Sequence, residues 1–365
     1  VDPDELERLA ADALPAPAYD FYAGGADDEI TLEENLLGWR NIRLRPRTMR
    51  DVGNVTTAAR VLDTAVRSPV LVAPTSFLKM AHAEGEIAVA VGTAEAGSLM
   101  VVSTRSTVPL DEIAGAAPEG RRWFQVYILR DRDWTEKIVA KAAELGYGAL
   151  VLTVDAPVVG RRRRDERNAF SFPDDIRPAH LPSVLEADAG GGRSYPGAAY
   201  LTSDTSGDDP AEHDPGVTFE DIGWLKSVSG LPVVVKGVLR GDDAAACVEA
   251  GAAAVVVSNH GGRQLDSVIS TAAALPEVVS AVGDAAEVYV DGGIRKGTDV
   301  LKAIALGADA VLIGRPIIWG LATGGAKGVR QVLEDLTAEL AHAMALCGAT
   351  RVEEISRDLI AGSDQ

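Results

Sequence analysis

The stretch VVVSNHGGRQLD, residues 255–266, ends an apolar run in a histidine, two glycines and an arginine. A run that only had to pack would end in ordinary turn residues. Histidine is the side chain that titrates nearest neutrality, so His260 suits a general base. Arg263 carries a planar fork that grips a carboxylate or phosphate through paired hydrogen bonds. Together they describe proton abstraction beside a bound anion. Polar groups recur where the other apolar runs end: Thr75 and Ser76, Ser103 and Thr104, Gln125 and Tyr127, then Thr153 and Asp155. Lys236, Ser258, Asp291 and Arg315 continue the series. Two stretches are built for phosphate. DGGIRKGTD (291–299) turns through Gly292 and Gly293 past Arg295 into a helix start, and IGRP (313–316) adds Gly314 and Arg315. Backbone N–H groups at a helix start bind anions. No Cys/His spacing suggests a metal. His82 and His342 read as ordinary helix or loop residues, and His213 as a solvated loop residue.

These groups need a frame that gathers the ends of many strands. Eight short β-rich runs supply it: SPVLVAP (68–74), SLMVVST (98–104), RWFQVYIL (122–129), YGALVLTVDAP (147–157), LPVVVKG (231–237), AAAVVVSN (252–259), AEVYVDGG (286–293) and ADAVLIGR (308–315). Most lack polar–apolar alternation, as strands buried on both faces do. Ala-rich helical segments that end in Gly lie between them. Eight strand-then-helix units predict an α/β fold, a closed (β/α)8 TIM barrel forming one domain over residues 1–365. A doubly wound sheet is the competing fold, weakened by the lack of a G-x-G-x-x-G turn after the first strand. Alternate strand positions share a face, so Gln125 points with Tyr127, and Thr153 with Asp155. Residues 172–216 are rich in Gly, Pro, Ser and Asp and follow the fourth strand. They read as a mobile cover on the face where barrel enzymes do chemistry, the alternative being an insertion without a role. The start, VDPDELERLAADAL, is acidic and amphipathic: an N-terminal helical extension, not a secretory signal.

Composition narrows the partners. The 365 residues carry a formal net charge of -19, which argues against a nucleic-acid surface and suits small-molecule partners. A docking surface for a basic protein is the lesser reading. The only two cysteines, Cys247 and Cys347, sit in helical stretches as small buried hydrophobes. Their scarcity fits a reducing, cytoplasmic compartment. No apolar run approaches the ~18 residues that a membrane helix needs.

The segments YDFYAGGADDEITLEEN, LTVDAPVVGRR, SNHGGRQLD, VDGGIRKGTDV and IGRP resemble the FMN-dependent α-hydroxy-acid oxidases and dehydrogenases from about Tyr19 to Ile360. The resemblance implies FMN as cofactor. It makes His260 the active-site base, with Asp155 stabilising its charged form. Arg263 and Arg162 become the partners of a substrate carboxylate, and Tyr127 the phenol that touches the substrate hydroxyl or carboxylate. Lys236 resembles the lysine beside flavin N1 and O2. Thr75, Ser76, Ser103, Gln125, Thr153 and Ser258 match neighbours of the isoalloxazine and ribityl groups. Asp291, Gly293, Arg295, Gly314 and Arg315 match ribityl and phosphate ligands. In the run Arg161–Arg164 only Arg162 matches a site residue; the other three read as ion-pair partners.

Two positions depart from the family's short-chain members. Phe21 stands where a tyrosine commonly helps bind the carboxylate, and family members that act on arylglycolates share this phenylalanine. Arg105 stands where glycolate-oxidising members carry tryptophan. It is placed to meet a second anionic group, stack on an aromatic ring or swing into solvent. Both changes favour an S-configured 2-hydroxy acid larger than glycolate, with an aromatic or second polar group within scope. The expected reaction gives a 2-oxo acid and, with O2 as acceptor, hydrogen peroxide. Alternatives are a dehydrogenase passing electrons to a quinone or carrier, an FMN barrel acting as isomerase or tailoring enzyme, and a flavin-binding scaffold without activity. Assembly is expected to be oligomeric, a tetramer by analogy.

Overall fold

In the computed structural model, which describes residues 2–181 and 213–362, all eight apolar runs become strands. A short antiparallel hairpin, β1 (Ala59–Val61) and β2 (Thr64–Val66), precedes them. The strands are β3 (Val70–Val72), β4 (Leu99–Val102), β5 (Arg121–Val126), β6 (Leu150–Thr153), β7 (Val233–Val238), β8 (Ala254–Val257), β9 (Glu287–Val290) and β10 (Ala310–Ile313). They pair in parallel in chain order, and β10 closes on β3.

Side-chain alternation explains why these strands read as continuous apolar runs. One set of positions, including Val72, Val102, Phe124, Leu152 and Val257, packs outward against the helices. The other set fills the barrel, with Val101, Trp123, Val151, Val234, Val256, Tyr289 and Leu312 among its members. Two residues further along each inward row lie Ser103, Gln125, Thr153, Lys236, Ser258, Asp291 and Gly314. Each row is therefore apolar where the barrel is sealed and polar where it opens at the C-terminal face.

The hairpin was not anticipated. It plugs the opposite end, placing Val61 and Val66 in the barrel's interior cluster. Glu287 ties it down, accepting from Leu62 N at 3.0 Å and from the Tyr289 hydroxyl at 2.6 Å.

The N-terminal extension is helical, as expected: α1 (Pro3–Ala13), α2 (Ala16–Ala23) and α3 (Ile30–Asn41). It crosses the C-terminal face instead of lying apart from it. Asp266 caps α3 from the far side of the chain, accepting from Thr31 N at 2.9 Å and Asp28 N at 3.1 Å. Of the expected cover at 172–216, residues 182–212 lie outside the described residues. Cys247 and Cys347 are buried and unpaired. Among the described residues no helix is long and apolar enough to cross a membrane.

Gly293, after β9, has φ 79°, and an added Cβ would lie 2.2 Å from the Asn35 carbonyl oxygen. Gly293→Ala therefore combines a left-handed conformation with a backbone clash. A loss of roughly 2–4 kcal/mol is expected, measured by denaturant unfolding; unchanged stability would show that α3 moves aside freely.

Candidate active site

Past Val257 the chain takes three consecutive left-handed residues: His260 (φ 58°), Gly261 (φ 65°) and Gly262 (φ 74°). A histidine in this region is strained, a state that persists only where surroundings impose it. Here α3 and its approach impose it. Asn259 and Asn35 exchange amide hydrogen bonds of 2.8 and 2.9 Å, and Gly262 O accepts from Ala26 N at 2.8 Å. The turn directs the His260 ring at Asp155, with Nδ1 2.8 Å from Oδ1. Nε2 is then the nitrogen left for a ligand. Burial alone would raise the Asp155 carboxyl, yet the adjacent His260, with Lys236 further off, holds it below the usual carboxylate range.

The arginines are seated on carbonyls. Arg263 donates through Nη1 to Phe21 O at 2.7 Å and Gly24 O at 2.9 Å. Arg315 donates to Tyr22 O at 3.0 Å, Gly24 O at 2.9 Å and Gly261 O at 3.0 Å. All of these acceptors except Gly261 O lie at the C-terminus of α2, the negative end of the helix. Arg315 is partly buried near Arg295, and desolvation and that neighbouring charge both push its pKa down. Arg162 is buried. Its Nε and Nη1 make no hydrogen bond within the described residues, and the nearest carboxylate, Asp165, lies 3.9 Å away. As expected, the neighbouring arginines form ion pairs: Arg161 with Glu166, Arg163 with Asp27 and Asp28, and Arg164 with Asp20 and Glu29. The Phe21 ring lies 5.6 Å from the Arg162 guanidinium carbon and 5.3 Å from that of Arg263.

One cavity of about 960 Å³, measured with its open mouth, is lined by these cations and the polar row ends. Thr75, Ser76, Ser103, Gln125 and Thr153 line one side; Asp291, Gly293, Arg295, Gly314 and Arg315 line another. Gln125 is fixed between Ser103 (3.3 Å) and Thr153 (3.1 Å). Lys236 is buried; burial would lower its pKa, but Asp291, at 2.9 Å, and then Asp155 raise it. Ser258 does not line the cavity. It is fully buried and accepts from Lys236 Nζ at 2.8 Å and His260 N at 3.1 Å, so it orients both.

One expectation is corrected, and for Arg105 the aromatic contact is selected from its alternatives. His213 is not solvated: its ring stacks on Tyr127 with centroids 3.9 Å apart and lies 2.8 Å from Arg105. Arg105 does not swing into solvent. It is 5% exposed, with its guanidinium carbon 5.8 Å from the Tyr127 ring centre, behind the tyrosine that lines the cavity. Asn35, Asp266 and the carbonyls of α2 were missed. Only the capping role of Asp266 left a trace in sequence, as an acid beside the glycine turn.

Comparison with known proteins agrees with this geometry. A family model described as FMN-dependent dehydrogenase matches residues 10–362. The chain is 47% identical over 359 residues to an L-lactate oxidase of Nostoc sp., covering 98% of this chain and 96% of that protein. It is 42% identical over 360 residues to 2-hydroxyacid oxidase 1 of Homo sapiens, covering 98% and 95%. A crystal structure of mandelate oxidase with (S)-4-hydroxymandelic acid superposes with a TM-score of 0.89 at 42% sequence identity, covering 98% of each chain.

The residues fit FMN. Arg295 and Arg315 are partly buried cations beside the glycine turn, the setting a phosphate needs. Asp291 Oδ1 is buried without a hydrogen bond among the described residues, ready for a ribityl hydroxyl. Lys236 lines the same cavity and would meet the isoalloxazine. Charge-assisted hydrogen bonds are worth about 1.5–3 kcal/mol. Arg315→Ala should therefore weaken FMN binding roughly 10- to 150-fold, read by flavin fluorescence on titrating the apoprotein. Unchanged affinity would place the phosphate elsewhere.

Proposed function

This chain belongs to the FMN-dependent dehydrogenase family, and within it we propose that the enzyme oxidises an S-configured 2-hydroxy acid larger than glycolate to the 2-oxo acid, with O2 reduced to hydrogen peroxide. The substrate loses two electrons and two protons, and oxygen gains both. The observation that carries the reading is the convergence of His260, paired with Asp155, and two arginines, Arg162 and Arg263, on one cavity. Bound FMN supplies the two-electron acceptor.

The chain's own residues do the rest. Arg162 and Arg263 hold the substrate carboxylate and so fix the α-carbon. Tyr127 meets the hydroxyl or carboxylate from the cavity wall. His260 takes the proton, whether the carbon loses a proton or a hydride, and Asp155 stabilises the imidazolium that results. Lys236, set by Ser258 and Asp291, offers fixed positive charge where negative charge gathers.

Phe21 supports the substrate size. It lines the cavity and is backed by Phe170, stacked at 5.0 Å, and Phe172 at 5.6 Å. An aromatic wall beside the carboxylate site favours an apolar or aromatic substituent, and the likeness to mandelate oxidase supports this. Arg105 acts on specificity from behind Tyr127. Assembly as a tetramer in the cytoplasm completes the proposal by analogy with the family, tested by light scattering and cell fractionation.

Anaerobic addition of a panel of 2-hydroxy acids should bleach the yellow enzyme, aryl-substituted acids acting faster than glycolate, and readmitted oxygen should yield one peroxide per turnover. A flavin that none of them bleaches would defeat the proposal. His260→Ala should stay yellow but reduce about 10²- to 10⁴-fold more slowly; near-normal reduction removes His260 as base. Phe21→Tyr should shift kcat/KM toward small hydroxy acids by about tenfold, one hydrogen bond to a charged group. An unaltered substrate profile would remove Phe21 from the specificity argument.

A further inference from the structure

His213 has no part in the chemistry above, yet it is among the most constrained side chains near the cavity. Its backbone bridges to Leu129, just beyond β5. Its Nδ1 lies 3.1 Å from the Ala156 carbonyl oxygen, and its Nε2 lies 2.8 Å from Arg105 Nη2. The ring lies flat on Tyr127, 20° from parallel. Arg105 is itself anchored at its backbone, where its N–H donates to Ser103 Oγ at 3.1 Å and its carbonyl accepts from Phe77 N at 3.2 Å.

Hydrogen-bond chemistry leaves one proton arrangement. A guanidinium only donates and a carbonyl only accepts. Nε2 must therefore accept from Arg105, and Nδ1 must carry the hydrogen given to Ala156 O. The ring is neutral, in the Nδ1–H tautomer. An imidazolium would set two positive groups in contact and point a donor at a donor. Burial first, and the Arg105 charge second, push the His213 pKa down to about 3. A lowered histidine stays neutral at pH values above that, so the arrangement holds through neutrality.

We propose that neutral His213 is a positioning residue that joins Tyr127 and Arg105 into one rigid wall, so that the phenol meets the substrate in a single orientation. Stacking at this distance restrains rotation of the Tyr127 ring. Arg105 reaches the cavity through that ring, which gives the arginine its influence on substrate choice. The inference rests on the reading of Tyr127 as a substrate contact.

Two measurements test it. Nitrogen-15 NMR of histidine-labelled, FMN-loaded enzyme should show His213, assigned by its loss in His213→Gln, as neutral Nδ1–H from pH 5 to 8.5. A His213 signal that titrates in this window, or the opposite tautomer, overturns the proposal. Anaerobic flavin reduction by the fastest 2-hydroxy acid supplies the second. His213→Ala and Arg105→Ala should each raise the half-saturating concentration about tenfold, with a smaller change in limiting rate, and the double variant should be no worse than either. His213→Phe, which keeps a stacking ring, should recover part of the loss. A double variant equal to the product of the single effects overturns the coupling. Losses appearing only as FMN release or a lower melting temperature overturn positioning in favour of a merely structural role. If no hydroxy acid bleaches the wild-type enzyme, the oxidase reading falls, and the NMR measurement still decides the state of His213.

Discussion

Positive charge seated on backbone carbonyl oxygens is the constraint around which this site is built. Arg263 and Arg315 donate to the carbonyls that close α2. Those oxygens carry the partial negative charge of a helix end. They satisfy donors and fix geometry, but they do not cancel a full charge. The seats on α2 thus hold two cations in place, in a chain whose net charge is -19.

Two other cationic groups have a carboxylate close by. Lys236 has Asp291 at 2.9 Å and His260 has Asp155 at 2.8 Å. These are the groups asked to respond as charge moves, so each carries a carboxylate close by. Asp165 stands between the two regimes. It is buried, its oxygens make no hydrogen bond, and burial raises its pKa against the lowering pull of Arg162 and Arg263. At 3.9 Å it can orient Arg162 without holding its hydrogen-bonding groups.

The barrel was legible because each strand is buried on both faces, which leaves an unbroken apolar run closed by a polar group. The site was legible for the same reason: polar residues at the tops of Val101–Ser103, Trp123–Gln125 or Val234–Lys236 rows have no packing role that would explain them. What stayed hidden depends on contacts between distant parts of the chain. The hairpin strands are three residues each, too short for any period to show. His213 adjoins a Gly- and Asp-rich stretch and reads as solvated; its burial is supplied by Tyr127 and Arg105, contributed by other barrel loops. Ser258 was read as a cofactor contact by position, and what sequence did not show is that its hydroxyl oxygen accepts from Lys236 and the His260 backbone. Arg105 was left with three alternatives because sequence gives a position along a loop and not the direction of a long side chain.

The N-terminal extension explains how residues so far apart in sequence share one frame. Arg263 is fixed on the carbonyls of α2, and the His260 turn is fixed by Asn35 and Ala26. Arg162 is tied to the same segment from outside. Arg163 pairs with Asp27 and Asp28, Arg164 pairs with Asp20 and Glu29, and Arg161 O accepts from Asp27 N at 2.9 Å. Exposed ion pairs contribute only about 0–1 kcal/mol each, which is too little to account for four basic residues in a row as a stability device. Their geometry accounts for them better. The side chains of Arg163 and Arg164 and the backbone of Arg161 anchor the segment to residues 20–29, and Arg162 lines the cavity. Both carboxylate arginines and the base therefore take their positions from one short stretch of chain, and the distances among them do not depend on the barrel strands alone.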